Sequence, residues 1–121
     1  MSTSLTPPGL LPENPAVLIY DLECEISFGS PIDEPLRLAF NEAAGAHRPG
    51  WHGPLPVVSW KGSESALLFM VLKGAPVEEP GADEAVCREA EERIRGWAAE
   101  AGIDAAVLEA AIVSCQAIPR I

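Results

Sequence analysis

Between positions 18 and 28 the chain alternates. Leu18, Tyr20, Leu22, Cys24, Ile26 and Phe28 are apolar, and Asp21, Glu23, Glu25 and Ser27 fall between them. A period of two marks a β-strand with one buried face. The first predicted strand, residues 16–28, therefore carries three successive carboxylates on its other face.

The run at 66–73 follows a different rule. Leu67, Phe69 and Val71 alternate with Leu68, Met70 and Leu72, so both faces are apolar. Such a strand belongs in the middle of a sheet with cover on both sides. A helical layer supplies one cover, and a second subunit is the simplest source of the other. A shorter strand is expected at 57–61. Gly62, Ser63, Glu64 and Ser65 separate the two runs and predict a hairpin turn.

Two segments carry the helical period instead. Leu36, Ala39, Phe40, Ala43 and Ala44 share one helical face. Ser30 or Asp33 can cap that helix. Pro35 fits a start at Asp33 better, because proline is tolerated in the first turn and not beyond it. Gly45 and Pro49 place its end near residue 46. The second helix is predicted over 83–101, with Asp83 as cap and Gly102 as its stop. Val86, Ala90, Ile94, Trp97 and Ala101 form its apolar stripe. Glu84, Glu89, Glu91 and Glu92 precede Arg93 and Arg95, the order a helix dipole favours. Residues 104–111 hold good helix formers and 112–118 read as strand; a closing strand over about 108–118 is the favoured reading, with 104–111 left open between helix and strand.

The order strand, helix, strand, strand, helix, strand predicts an α+β fold. The expected architecture is a ferredoxin-like βαββαβ sandwich: one antiparallel sheet with two helices on one face and strands one and three in the middle. Asp21, Glu23 and Glu25 then share the open face with one apolar side of 66–73. Domains of this shape often pair their open faces, so a homo-oligomer, with a dimer favoured, is expected by analogy of fold.

Ahead of this domain, residues 1–15 contain Pro7, Pro8, Pro12 and Pro15 and read as a flexible, proline-rich arm. Residues 16–121 read as a single domain, since 121 residues with 48% hydrophobic content suffice for one core. Eighteen carboxylates against eight Lys and Arg give a net charge of −10. Such a chain repels phosphate backbones and anionic lipid, which argues against nucleic-acid and membrane partners. A basic protein remains a possible partner, although solubility alone accounts for the acidity. No apolar run approaches the roughly 20 residues of a membrane span, and the first residues lack the pattern of a signal peptide. Cys24, Cys87 and Cys115 are an odd, dispersed set, which reads as reduced thiols in a cytoplasmic protein.

Few residues carry candidate chemistry. Asp21, Glu23 and Glu25 lie roughly 6.7 Å apart along one strand face. Clustered carboxylates raise one another's pKa, so Glu23 or Glu25 can serve as acid or base and Asp21 can contact a ligand. The plainer reading is a solvated strand face. Residues 48–56 form a Pro/Gly-rich loop in which Arg48, Trp51 and His52 can close on a small molecule, with His52 as an acid–base group. The plainer reading there is that His47 ends a helix and Trp51 plugs the core. Trp60 is either a ligand-binding wall or a core residue. His47 and His52 do not have metal-ligand spacing, so no metal is expected. Cys24 is a poor nucleophile, because its neighbours Glu23 and Glu25 would raise its pKa. The chain has no dinucleotide fingerprint, phosphate-binding loop, paired-cysteine motif, zinc-protease motif or nucleophile elbow, and no cofactor is expected. Two readings follow. One is a small-molecule site between the open face and the 48–56 loop, possible with cofactor-free acid/base chemistry. The other is an acidic protein-interaction module, of inhibitor or immunity type, for a basic partner.

Overall fold

The computed structural model describes residues 17–46 and 56–120. The expected arm at 1–15 and the loop residues Arg48, Trp51 and His52 lie outside the described residues, as does His47. In chain order the elements are β1 (Leu18–Ser27), α1 (Glu34–Gly45), β2 (Val57–Trp60), β3 (Ser65–Gly74), α2 (Ala82–Glu100), α3 (Ala105–Ala110) and β4 (Ile112–Pro119). They make an α+β fold with one four-stranded antiparallel sheet in the order β2-β3-β1-β4. That arrangement is compatible with a ferredoxin-like fold. β1 and β3 take the centre, where the longest apolar patterns put them.

The alternation in β1 becomes the division between core and open face. Tyr20, Leu22, Cys24 and Ile26 are buried, and from β3 so are Ala66, Leu68, Met70 and Leu72. Helices α1 and α2 pack over this side, contributing Phe40, Ala43 and Ala44 from one and Val86, Ala90, Ile94, Trp97 and Ala98 from the other. Each fully buried Leu or Ile here is worth roughly 1.5–3 kcal/mol. Phe28, just past β1, stacks on Trp60 at 5.8 Å and meets the edge of Phe40 at 6.3 Å.

Helix ends depart from the sequence reading in one place and follow it in two. α1 is capped by Asp33, with Pro35 inside its first turn. α2 is preceded by Gly81 in the left-handed region (φ 79°) rather than by Asp83, which sits in the first turn near the positive dipole end. Glycine takes that conformation without a Cβ penalty. At the other end Gly102 (φ 94°) closes α2, its N–H donating to Ala99 O at 3.0 Å while Ile103 N–H donates to Ala98 O at 3.1 Å. This pair of bonds satisfies two carbonyls of the last turn.

The ambiguous segment 104–111 resolves as the short helix α3, so the last strand begins at Ile112 and not near Leu108. Local propensity of its alanines and Leu108 favours helix. A distant residue secures its C-terminal end: Arg95 of α2 donates to the carbonyls of Leu108 at 2.8 Å and Ala111 at 2.9 Å, the first of which also accepts from Ala111 N–H at 3.2 Å.

Gly74 is a position of close approach. A Cβ there would lie 2.3 Å from Val86 Cγ2 and 3.0 Å from the Tyr20 ring. Only glycine lets the end of β3 come so near both α2 and β1. The Tyr20 hydroxyl donates to the Ala75 carbonyl, which pins the same corner.

Candidate functional site

The other side of the sheet bears no helix. β1 contributes Ile19, Asp21, Glu23 and Glu25; β3 contributes Leu67, Phe69, Val71 and Lys73; the edge strands add Val57, Ile112, Ser114, Gln116 and Ile118. Phe69 is 44% exposed and Ile112 69%. The expectation that 66–73 is covered above and below therefore meets only half its condition among the described residues. The helices cover Leu68, Met70 and Leu72; the opposite side lies open.

Register decides which groups meet on this face. Asp21 stands between Val71 and Ile118, Glu23 between Phe69 and Gln116, and Glu25 between Leu67 and Ser114. The three carboxylates are thus together, as their spacing requires, but they are not equivalent. Arg120 forks onto Asp21 at 2.7 and 2.9 Å. That bidentate pair holds the Asp21 carboxyl below its usual pKa, against the rise that clustering alone would bring. Lys61 reaches Glu25 at 3.2 Å. Glu23 has no ion-pair or hydrogen-bond partner among the described residues, and it is exposed.

Shallow depressions lie on both sides of Glu23 and Phe69. One, of about 350 Å³, is bounded by Glu23, Glu25, Leu67, Phe69, Ser114 and Gln116. The other, of about 210 Å³, runs along Asp21, Glu23, Val57, Phe69 and Val71. Both are open among the described residues, and neither is enclosed by them.

Trp60 is not part of this surface. It points to the helical side, where its indole N–H donates to Asn41 Oδ1 at 2.8 Å and its ring packs on Phe28 and Phe40. The one-residue offset from Ser59, which faces outward, is enough to send it there. The structure therefore brings together Asp21, Glu23 and Glu25 and separates Trp60 from them. No helix among the described residues is long and apolar enough to cross a membrane.

Sequence reading passed over two partners, Arg120 and Lys61. Neither carries a local signal; each is recruited by strand register from far along the chain. It also treated the cysteines as dispersed. In the fold they converge beneath α2, and the Cys24 thiol is held protonated chiefly by its hydrogen bond to Cys115 and by burial. Glu23 and Glu25, invoked for that effect from sequence, point to the opposite face of the sheet.

No protein-family model matches this chain, and no curated protein or solved structure matches it.

Proposed function

We propose that this chain works as a homo-oligomer, most simply a dimer, that binds a small molecule between apposed open sheet faces. The fold is read here as ferredoxin-like, with β1 and β3 central and α3 an addition before the last strand. Glu23 is the acid–base group, Asp21 and Glu25 are each paired with a cation, Arg120 and Lys61, and no cofactor takes part.

One observation carries this reading. The chain has a net charge of −10, yet its open face sets Lys61, Lys73 and Arg120 against Asp21, Glu23 and Glu25. The face is electrically balanced and the excess acidity sits elsewhere. A balanced, apolar surface can meet a copy of itself without the repulsion that would oppose two acidic faces. Exposed Phe69 and Val57, with half-buried Leu67 and Val71 beside them, are also what a docking face requires. Pairing converts the open depressions beside Glu23 into enclosed space, where a carboxylate with no cation is free to accept or give a proton.

Light scattering coupled to size-exclusion chromatography tests this. The wild-type chain is expected to elute at a multiple of its monomer mass, and Phe69→Asp as a monomer. A wild type that stays monomeric at high concentration overturns the proposal.

A second reading has its own support. The surface away from the open face holds the excess carboxylates, including exposed Asp33, Glu34, Glu42, Asp83, Glu84 and Glu92. An acidic interaction module for a basic partner protein would use that side. It predicts binding that weakens steeply with salt and is indifferent to Phe69→Asp.

A further inference from the structure

The three cysteines are separated in sequence and adjacent in space. Cys24 of β1 and Cys115 of β4 are directly opposed in the antiparallel pair, so their side chains share the helix-facing side of the sheet. Directly opposed residues have Cα atoms roughly 4.5–5.5 Å apart, inside the range of roughly 4.4–6.8 Å that a disulfide spans. Cys87 reaches the same spot from α2, its thiol donating to the Cys115 carbonyl oxygen at 3.6 Å. All three are free thiols.

Access differs among them. Cys24 is 3% exposed. Cys115 and Cys87 are half-buried and line an open pocket of about 310 Å³ between α2 and β4, with Glu84, Arg88 and Glu91 at its rim.

We propose that Cys115 is a site of reversible oxidation by a small neutral hydroperoxide, with Cys24 as the resolving thiol. The Cys115 sulfur, having lost its proton, attacks one peroxide oxygen. The O–O bond breaks, the hydroxide that leaves takes up a proton to become water, and Cys115 is left as a sulfenic acid. The Cys24 sulfur then attacks the Cys115 sulfur. The S–O bond breaks, and the hydroxyl leaves as water with the proton of Cys24. Two thiols lose two electrons, hydrogen peroxide gains them, and one disulfide and two waters result.

The division of roles follows from the surroundings. Cys115 lines the open pocket while Cys24 is 3% exposed, so a peroxide meets the Cys115 sulfur first, and burial also pushes the Cys24 thiol up. The attacking sulfur is therefore the one that reaches the pocket, and the buried one waits. Cys87 bonds a backbone carbonyl instead of a sulfur, which leaves Cys24 the better placed partner. The oxidant is neutral because Glu84 and Glu91 outnumber Arg88 around the pocket, a balance that disfavours an anion such as glutathione disulfide.

Exposing the native chain to one equivalent of hydrogen peroxide, then alkylating and mapping peptides by mass spectrometry, tests the assignment. The expected product has lost two hydrogens, contains a Cys24–Cys115 disulfide reversed by dithiothreitol, and keeps Cys87 alkylated. Cys87→Ala is expected to form the same disulfide. Cys24→Ala is expected to stop at a Cys115 carrying one or two oxygens, and glutathione disulfide in place of peroxide is expected to give no reaction. A Cys87–Cys115 bond, a disulfide that forms only in urea, or an unmodified Cys115 where free cysteine in the same tube is consumed would overturn it. Should Cys24→Ala fail to fold, the wild-type and Cys87→Ala maps decide the question by themselves.

Discussion

The two sides of one sheet obey opposite rules. On the helical side, Leu22 sits 1% exposed among Leu68, Met70 and Ala117, and every position is filled by an apolar group. One residue along the same strand, Glu23 is exposed beside Phe69 and Gln116. The inner side is finished by its own chain. The outer side mixes aliphatic groups, an aromatic ring and balanced charge, and no helix among the described residues covers it. That contrast teaches that the inner side encodes the fold, and that the outer side is where selection for a partner or ligand has room to act.

Substitutions can break this contrast, and the largest effect belongs to the inner side. Leu22→Asp places a charge without a partner in the packed core, at a cost of several kcal/mol. Loss of the cooperative thermal transition is expected; a soluble variant with a normal melt would contradict the assignment of β1. The same change at Phe69 is expected to keep a cooperative transition, so circular dichroism melts of Leu22→Asp and Phe69→Asp set the two sides against each other directly.

Gly74→Ala comes next. Its Cβ must displace Val86 and the Tyr20 ring, and overpacking of this kind costs about 1–3 kcal/mol. Urea denaturation is expected to show a lower midpoint with an unchanged slope.

Arg120→Ala acts on the outer side, and its effect depends on pH. The arginine lowers the pKa of Asp21 in the folded chain, so the pair stabilises the fold above the unfolded carboxyl pKa. That contribution disappears as pH falls through the folded value. The gap in melting temperature between wild type and Arg120→Ala should therefore hold steady from pH 7 to 5 and close below about pH 4. A gap that widens in acid would contradict the sign.

Glu23→Gln is the mildest change. It removes one of three neighbouring like charges and breaks no contact, so the melting temperature should stay level or rise slightly. A marked loss of stability in differential scanning calorimetry would reveal a partner for Glu23.

How far the sequence discloses these features depends on the range over which each is determined. β1 and β3 were legible because burial repeats every second residue within a single strand. α1 was legible from Phe40, Ala43 and Ala44 at helical spacing, with Pro35 locating its start. The segment at 104–111 was not decidable, because the Arg95 donors that secure it come from another helix. The carboxylates were visible as a trio, yet what distinguishes them is supplied from residues 61 and 120 by register alone. Trp60 lay one position from the open face, and no local pattern in a four-residue strand fixes which way it turns. Cys24 and Cys115 could be seen as neighbours only once the pairing of the first and last strands was known.

That pairing also governs the order of assembly. Asp21 and Arg120 lie 99 positions apart, and the β1–β4 ladder that joins them is the longest-range contact of the sheet. Closing so large a loop is entropically expensive, so β4 is expected to dock late in folding. On the ribosome, β1 must wait with one edge unoccupied until β4 has emerged. The two thiols meet only when that strand docks, which makes their proximity a chemical marker of a completed sheet.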